Sequence, residues 1–72
     1  MIRVMIVDDH TMVRMGLERL LESFDEIHVV GAASSGEEAI WMAAATLPQV
    51  VLMDMAMPDM DGIETTRRLV AA

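Results

Sequence analysis

The chain predicts an α/β fold in which three parallel strands alternate with three helices packed on the faces of the sheet. Two observations carry this. Short apolar, β-rich runs alternate three times with segments of helical periodicity, and the links between them are short, so the order β-α-β-α-β-α implies right-handed crossovers. The last run, Val50-Val51-Leu52-Met53, is continuously apolar, as in a strand buried on both faces of a parallel sheet, and it runs straight into Asp54 and a turn.

The first strand is Ile2 to Val7, apolar but for Arg3, and it ends at the acidic pair Asp8 and Asp9. An amphipathic helix follows from about Thr11 to Ser23. Val13, Leu17, Leu20, Leu21 and Phe24 recur at helical spacing, and Arg14, Glu18, Arg19 and Glu22 face away. Gly16 inside it costs about 1 kcal/mol relative to alanine, which signals close packing or simple tolerance. Asp25 and Glu26 break the helix. Ile27 to Ala32 reads as a short second strand, with His28 at its surface or edge. Ser34 and Ser35 with Glu37 and Glu38 form overlapping capping boxes, so a second helix starts there and runs to about Thr46, where Pro48 stops it. Its buried stripe is Ile40, Ala43, Ala44 and Leu47. Trp41 lies off that stripe as a half-covered surface aromatic. After the third strand and the turn from Met57 to Gly62, a third helical face is made by Ile63, Thr66, Arg67 and Val70.

Composition bounds what such a chain can be. Its 72 residues allow one small domain, whose core yields a net stability of about 3 to 5 kcal/mol, so marginal stability or an oligomer is expected. Hydrophobic residues make up 54% of the chain, too many for disorder. No apolar run approaches the ~20 residues that span a bilayer, and Met1 to Val7 lacks signal-peptide architecture; a cytoplasmic protein without a membrane partner is expected. There is no cysteine, hence no disulfide or thiolate framework. The net charge of −7 disfavours nucleic acid and anionic membrane, because neutralising phosphates needs clustered Lys and Arg.

An isolated aspartate after a strand most often only caps the next turn or helix. Here two strands end in acid. If the first and third are neighbours, Asp8, Asp9 and Asp54 emerge together at the carboxyl edge, where parallel sheets bind their ligands. Carboxylates ~4 Å apart repel by about 4 kcal/mol at an effective dielectric of 20, so the cluster protonates or holds a cation. A hard divalent ion with oxygen ligands, Mg²⁺ above all, fits best, and a carboxylate beside it can act as a nucleophile toward a phosphoryl group. The nine methionines are core filling, since no cysteine accompanies them in a soft-metal set. Asp59 and Asp61 serve turn formation and helix N-terminal charge.

Val7-Asp8-Asp9-His10, Val13-Arg14-Met15-Gly16-Leu17 and Asp54-Met55-Ala56-Met57-Pro58-Asp59-Met60-Asp61-Gly62 together resemble the receiver domains of two-component response regulators, in the NarL/FixJ-like (LuxR-type) branch, along the whole chain. The resemblance implies a flavodoxin-like fold with sheet order 2-1-3, and it makes residues 1–72 the amino-terminal part of a receiver. By it Asp54 is the phosphoacceptor for a histidine kinase, Asp9 a direct Mg²⁺ ligand, and Asp8 a ligand through water or a positioning partner. The backbone carbonyl of Ala56 is a further ligand, and His10 takes no catalytic step. It also implies a signalling module and not an enzyme, in a parent that regulates transcription and reaches DNA only through a helix-turn-helix domain absent here.

The family's fourth and fifth strands, with their phosphoryl-sensing Ser or Thr and their Lys, are not in this chain. Switching by these residues alone is therefore expected to be defective. The third strand becomes an open apolar edge, which templates pairing with another chain, so a homo-oligomer, a dimer through that strand or through exposed helix faces, is expected. Three other readings compete. A non-phosphorylated interaction scaffold is the strongest. A haloacid-dehalogenase-type phosphohydrolase is suggested by Asp59-Met60-Asp61-Gly62, but Pro58, and not a buried strand, precedes it. A calcium loop fails because Met57 and Arg68 occupy its first and twelfth positions.

Overall fold

The computed structural model describes residues 1–55 and 62–71. Its elements run β1 (Ile2–Val7), α1 (Thr11–Glu22), β2 (Ile27–Ala33), α2 (Gly36–Thr46), β3 (Val50–Met53) and α3 (Gly62–Ala71). The strands form one parallel sheet in the order β2-β1-β3, as the sequence predicts. Among the described residues no helix is long and apolar enough to cross a membrane.

Strand β1 is central, and Val4 to Val7 are its fully covered part. Alternation sends Met5 and Val7 to one face of the sheet and Val4 and Ile6 to the other. Met5 and Val7 join Ala33 and Ala39 in a core closed by Met42, Ala43, Val51, Met53 and Leu69, so α2 and α3 share that face. Beside β1, β2 carries a bulge: Val4 pairs with Val29 and Met5 with Gly31, leaving Val30 as the extra residue. A Cβ on Gly31 would run into the Met42 side chain, so the missing side chain lets α2 approach the sheet. Gly16, by contrast, faces open space; tolerance is its explanation.

Capping fixes both ends of α2. The Ser35 hydroxyl accepts the Glu38 N–H at 3.1 Å, and the Glu38 carboxylate accepts the Ser34 N–H at 2.7 Å. At the other end Leu47 adopts φ 50°, the left-handed conformation, and its carbonyl accepts both Nε and Nη2 of Arg3 at 3.1 and 2.9 Å. A side chain in that conformation costs roughly 1 to 2 kcal/mol, and Leu47 is 67% exposed, with little burial to lose. Leu47→Gly is expected to stabilise the chain by about 1 kcal/mol, read as a higher urea midpoint.

Several helix faces differ from the expected ones. Of the apolar stripe expected for α1, Leu17 and Leu21 are half-buried, whereas Val13, Leu20 and Phe24 stay exposed. The described strands are too few to cover the full stripe. Arg14, expected to face away, is half-buried. In α2 the sheet-facing residues are Ala39, Met42 and Ala43, with Ile40 half-buried, while Ala44 and Leu47 are exposed; Leu47 has already left the helix as its cap. Trp41 is 72% exposed, more than half-covered packing allows. In α3 the buried side is Gly62 and Thr65, with Leu69 against the core, and Ile63, Arg67 and Val70 point outward. Val70 lines a cavity with Val51 and Met53 on the face of β3 that α3 covers; Val50 and Leu52, which alternate to its other face, are also exposed.

Candidate functional site

Register builds the site. Val7 pairs with Ala33 on one side and Met53 on the other, and the ladder continues one residue further: Asp8 N–H donates to the Ala33 carbonyl at 3.1 Å and Asp54 N–H to the Val7 carbonyl at 2.8 Å. Two strands that end level must release their next residues side by side. Asp8, Asp9 and Asp54 therefore share the carboxyl edge of the sheet, as expected from the sequence. One side-chain ligand atom from each of them, and one from His10, lie within 4.8 Å of one another. The carboxylates are mostly covered, with side-chain exposures of 14, 26 and 23% for Asp8, Asp9 and Asp54. Val7, Asp8, Leu17, Leu52, Met53 and Asp54 line an open cavity of about 300 Å³ beside them.

His10 is the residue to which sequence reasoning gave no task. Its N–H donates to Asp8 Oδ1 at 2.8 Å, and its ring Nδ1 stands 3.1 Å from Asp8 Oδ1, 3.1 Å from Asp9 Oδ1 and 3.9 Å from Asp54 Oδ2. The imidazole ring faces all three carboxylates. The signal available was its position, directly after the acidic pair and at the N-cap of α1. The hydrogen bond to Asp8, then the charges of Asp9 and Asp8, raise its pKa above 6.5. A raised histidine value means stabilisation fully present below 6.5 and lost as pH rises through the folded-state value. Without divalent ions, the melting temperature of wild type is expected to exceed that of His10→Gln at pH 6, with the gap closing toward pH 9. The ring is two-thirds exposed, so salt should narrow the gap too.

One atom tests whether the residues suit a cation. The His10 ring nitrogen makes its hydrogen bond with Asp8 Oδ1, and Asp9 Oδ1, 3.1 Å from the same nitrogen, is buried with no hydrogen-bond partner. A buried, charged acceptor without a donor is costly. An oxygen-coordinating ion in the cleft removes that cost, and three carboxylates suit a hard divalent ion that retains waters.

Ala56, expected to add a backbone carbonyl, and Asp59 and Asp61 lie outside the described residues. Gly62 N–H donates to the Met55 carbonyl at 3.0 Å. A Cβ on Gly62 would overlap Met55 Cα and press on the Asp54 carbonyl oxygen. Close approach, with φ in the ordinary negative range, is thus what glycine supplies there.

Comparison with known proteins agrees with this geometry. Residues 4–72 match the response regulator receiver domain. The transcriptional regulatory protein LiaR of Bacillus subtilis is 51% identical over 69 residues, which cover 96% of this chain and 33% of LiaR. The response regulator GacA of Pseudomonas protegens is 52% identical over 69 residues, 96% of this chain and 32% of GacA. Among solved structures, the response regulator domain of Thermotoga maritima CheB superposes with a TM-score of 0.93 at 38% identity, covering 97% of this chain and 52% of that one. The chain thus spans about a third of the length of these curated relatives. It belongs to the response regulator receiver family, in its NarL/FixJ-type branch.

Proposed function

We propose that Asp54 accepts a phosphoryl group from a histidine kinase, and that residues 1–72 are the amino-terminal part of a receiver in a protein that regulates transcription. The observation that carries this is the level ending of β1 and β3, which sets Asp54 beside Asp8 and Asp9 at the rim of a cavity. A carboxylate oxygen of Asp54 attacks phosphorus as the bond to the donor's imidazole nitrogen breaks. An acyl phosphate forms, and the donor ring, protonated on its other nitrogen, leaves as neutral imidazole. Asp8, Asp9 and Asp54, with the Ala56 carbonyl, would hold magnesium as Mg²⁺; when bound, it neutralises charge on the transferring group. Asp8 is tied to His10 and so positions, while Asp9 is the directly ligating carboxylate. Incubation with phosphoramidate and Mg²⁺ should add the mass of one phosphoryl group to the wild type and none to Asp54→Asn. Addition to both variants alike would place the acceptor elsewhere.

The open side of β3 supports a second part of the proposal, that two copies of this chain associate there. Among the described strands β3 stands at one edge of the sheet, and its Val50 and Leu52 are 43 and 38% exposed. An uncovered apolar strand edge pairs readily with another. Light scattering at tens of micromolar should give a dimer mass. A monomer there would rule the association out.

A further inference from the structure

We propose that Arg14 is a positioning residue of the carboxylate site: by holding the Asp8 carbonyl, its guanidinium fixes the plane of the Asp8–Asp9 peptide, and with it the direction in which the Asp9 carboxylate enters the cleft. This rests on the reading that the cleft holds a divalent cation.

Three observations carry it. Arg14 Nη1 donates to the Asp8 carbonyl oxygen at 2.9 Å from a half-buried side chain, against the expectation that this residue faces solvent. Arg14 stands in the first turn of α1, where its own N–H donates to the His10 carbonyl at 2.9 Å; long helical side chains reach back toward the N-terminus, so the guanidinium returns to the loop that bears the acids. The two carboxylates of the pair are also held differently. The His10 ring stands 3.1 Å from both, but Asp8 Oδ1 also takes the His10 backbone N–H, whereas the buried Asp9 Oδ1 has no hydrogen-bond partner. With only an exposed ring beside it and no hydrogen bond to aim it, that oxygen depends on the backbone for its direction. The peptide unit is planar and rigid, so a hydrogen bond on the Asp8 oxygen also orients the Asp9 N–H and Cα across the same plane.

The alternative role for a cation held at the Asp8 carbonyl is plain electrostatics, and the two roles differ in sign. A nearby positive charge opposes entry of a second cation, so its removal would tighten divalent binding. Loss of a positioning bond weakens it, and changes to the groups that orient metal ligands typically cost tenfold or more in affinity.

The test is Mg²⁺ titration at fixed ionic strength, by calorimetry and by amide shifts of residues 8–10, on wild type, Arg14→Met, Arg14→Lys and the double variant Asp9→Ala, Asp54→Ala. Methionine keeps much of the apolar stem and removes the fork. Arg14→Met is expected to bind roughly tenfold more weakly, and Arg14→Lys, which keeps the charge without the planar fork, to fall between it and wild type. Metal-free spectra should show a displaced Asp8 carbonyl carbon shift in Arg14→Met, with the circular dichroism unchanged. Equal or tighter binding by Arg14→Met overturns the proposal. Wild-type binding that is absent, or equal to that of the double variant, overturns the divalent-cation reading and the proposal with it. If Arg14→Met does not fold, Arg14→Lys carries the comparison with the same sign.

Discussion

Asp9→Asn is expected to lose Mg²⁺-dependent phosphoryl uptake and, without divalent ions, to melt at a higher temperature than wild type. Asp9, Asp8 and Asp54 bring ligand atoms within 4.8 Å of one another. Each charge pair at that distance costs about 3 kcal/mol at an effective dielectric of 20, and the neighbouring imidazolium offsets part of it. Amidation of Asp9 removes the charge whose buried oxygen lacks a donor, and the amide NH₂ can turn toward Asp8 or Asp54. A gain of about 1 kcal/mol is expected, or some 4 to 8 °C for a chain of this size. The sign of its pH dependence comes from His10. Its imidazolium compensates the acids below the raised pKa and not above it, so the gain should be larger at pH 9 than at pH 6. Paired melts of the two proteins in chelator at both values decide this; a variant less stable than wild type at both would show that the carboxylate is structurally required.

Such a trade between stability and site chemistry was partly visible in the residues. Strand ends are easy to read, because a continuous apolar run must stop where the chain leaves the sheet, and both Val7 and Met53 are followed by acid. Adjacency of β1 and β3 is then given by the family's sheet order, and level endings by register. Arg14 and His10 were harder. Their roles depend on where a long side chain and a ring turn in space, and a helical pattern assigns such residues to the polar face without saying what they reach. The open face of α1 illustrates another limit: periodicity marks which side of a helix is apolar and is silent on what lies against it. For α3 the same limit reversed the assignment, since Ile63 and Val70 form a good stripe whose neighbour is not among the described elements, while Thr65 takes the buried position.

That uneven coverage leads to the largest expected effect on stability. Met5 lies on the central strand, is fully buried, and packs in the cluster that α2 and α3 close. Met→Ala in such a position costs about 2 to 5 kcal/mol, comparable with the roughly 3 to 5 kcal/mol that a core of this size supplies. Met5→Ala should therefore populate the unfolded chain at 25 °C without denaturant. Leu20, 57% exposed on the open face of α1, should lose under about 0.5 kcal/mol when changed to alanine. Urea melts followed by circular dichroism at low and high protein concentration separate the two. Retention of a cooperative melt within about 1 kcal/mol of wild type by Met5→Ala would mean the core lies elsewhere. A Leu20→Ala cost that appears only at high concentration would place that residue in an interface between copies, and would move the association surface from the edge of β3 to the face of α1.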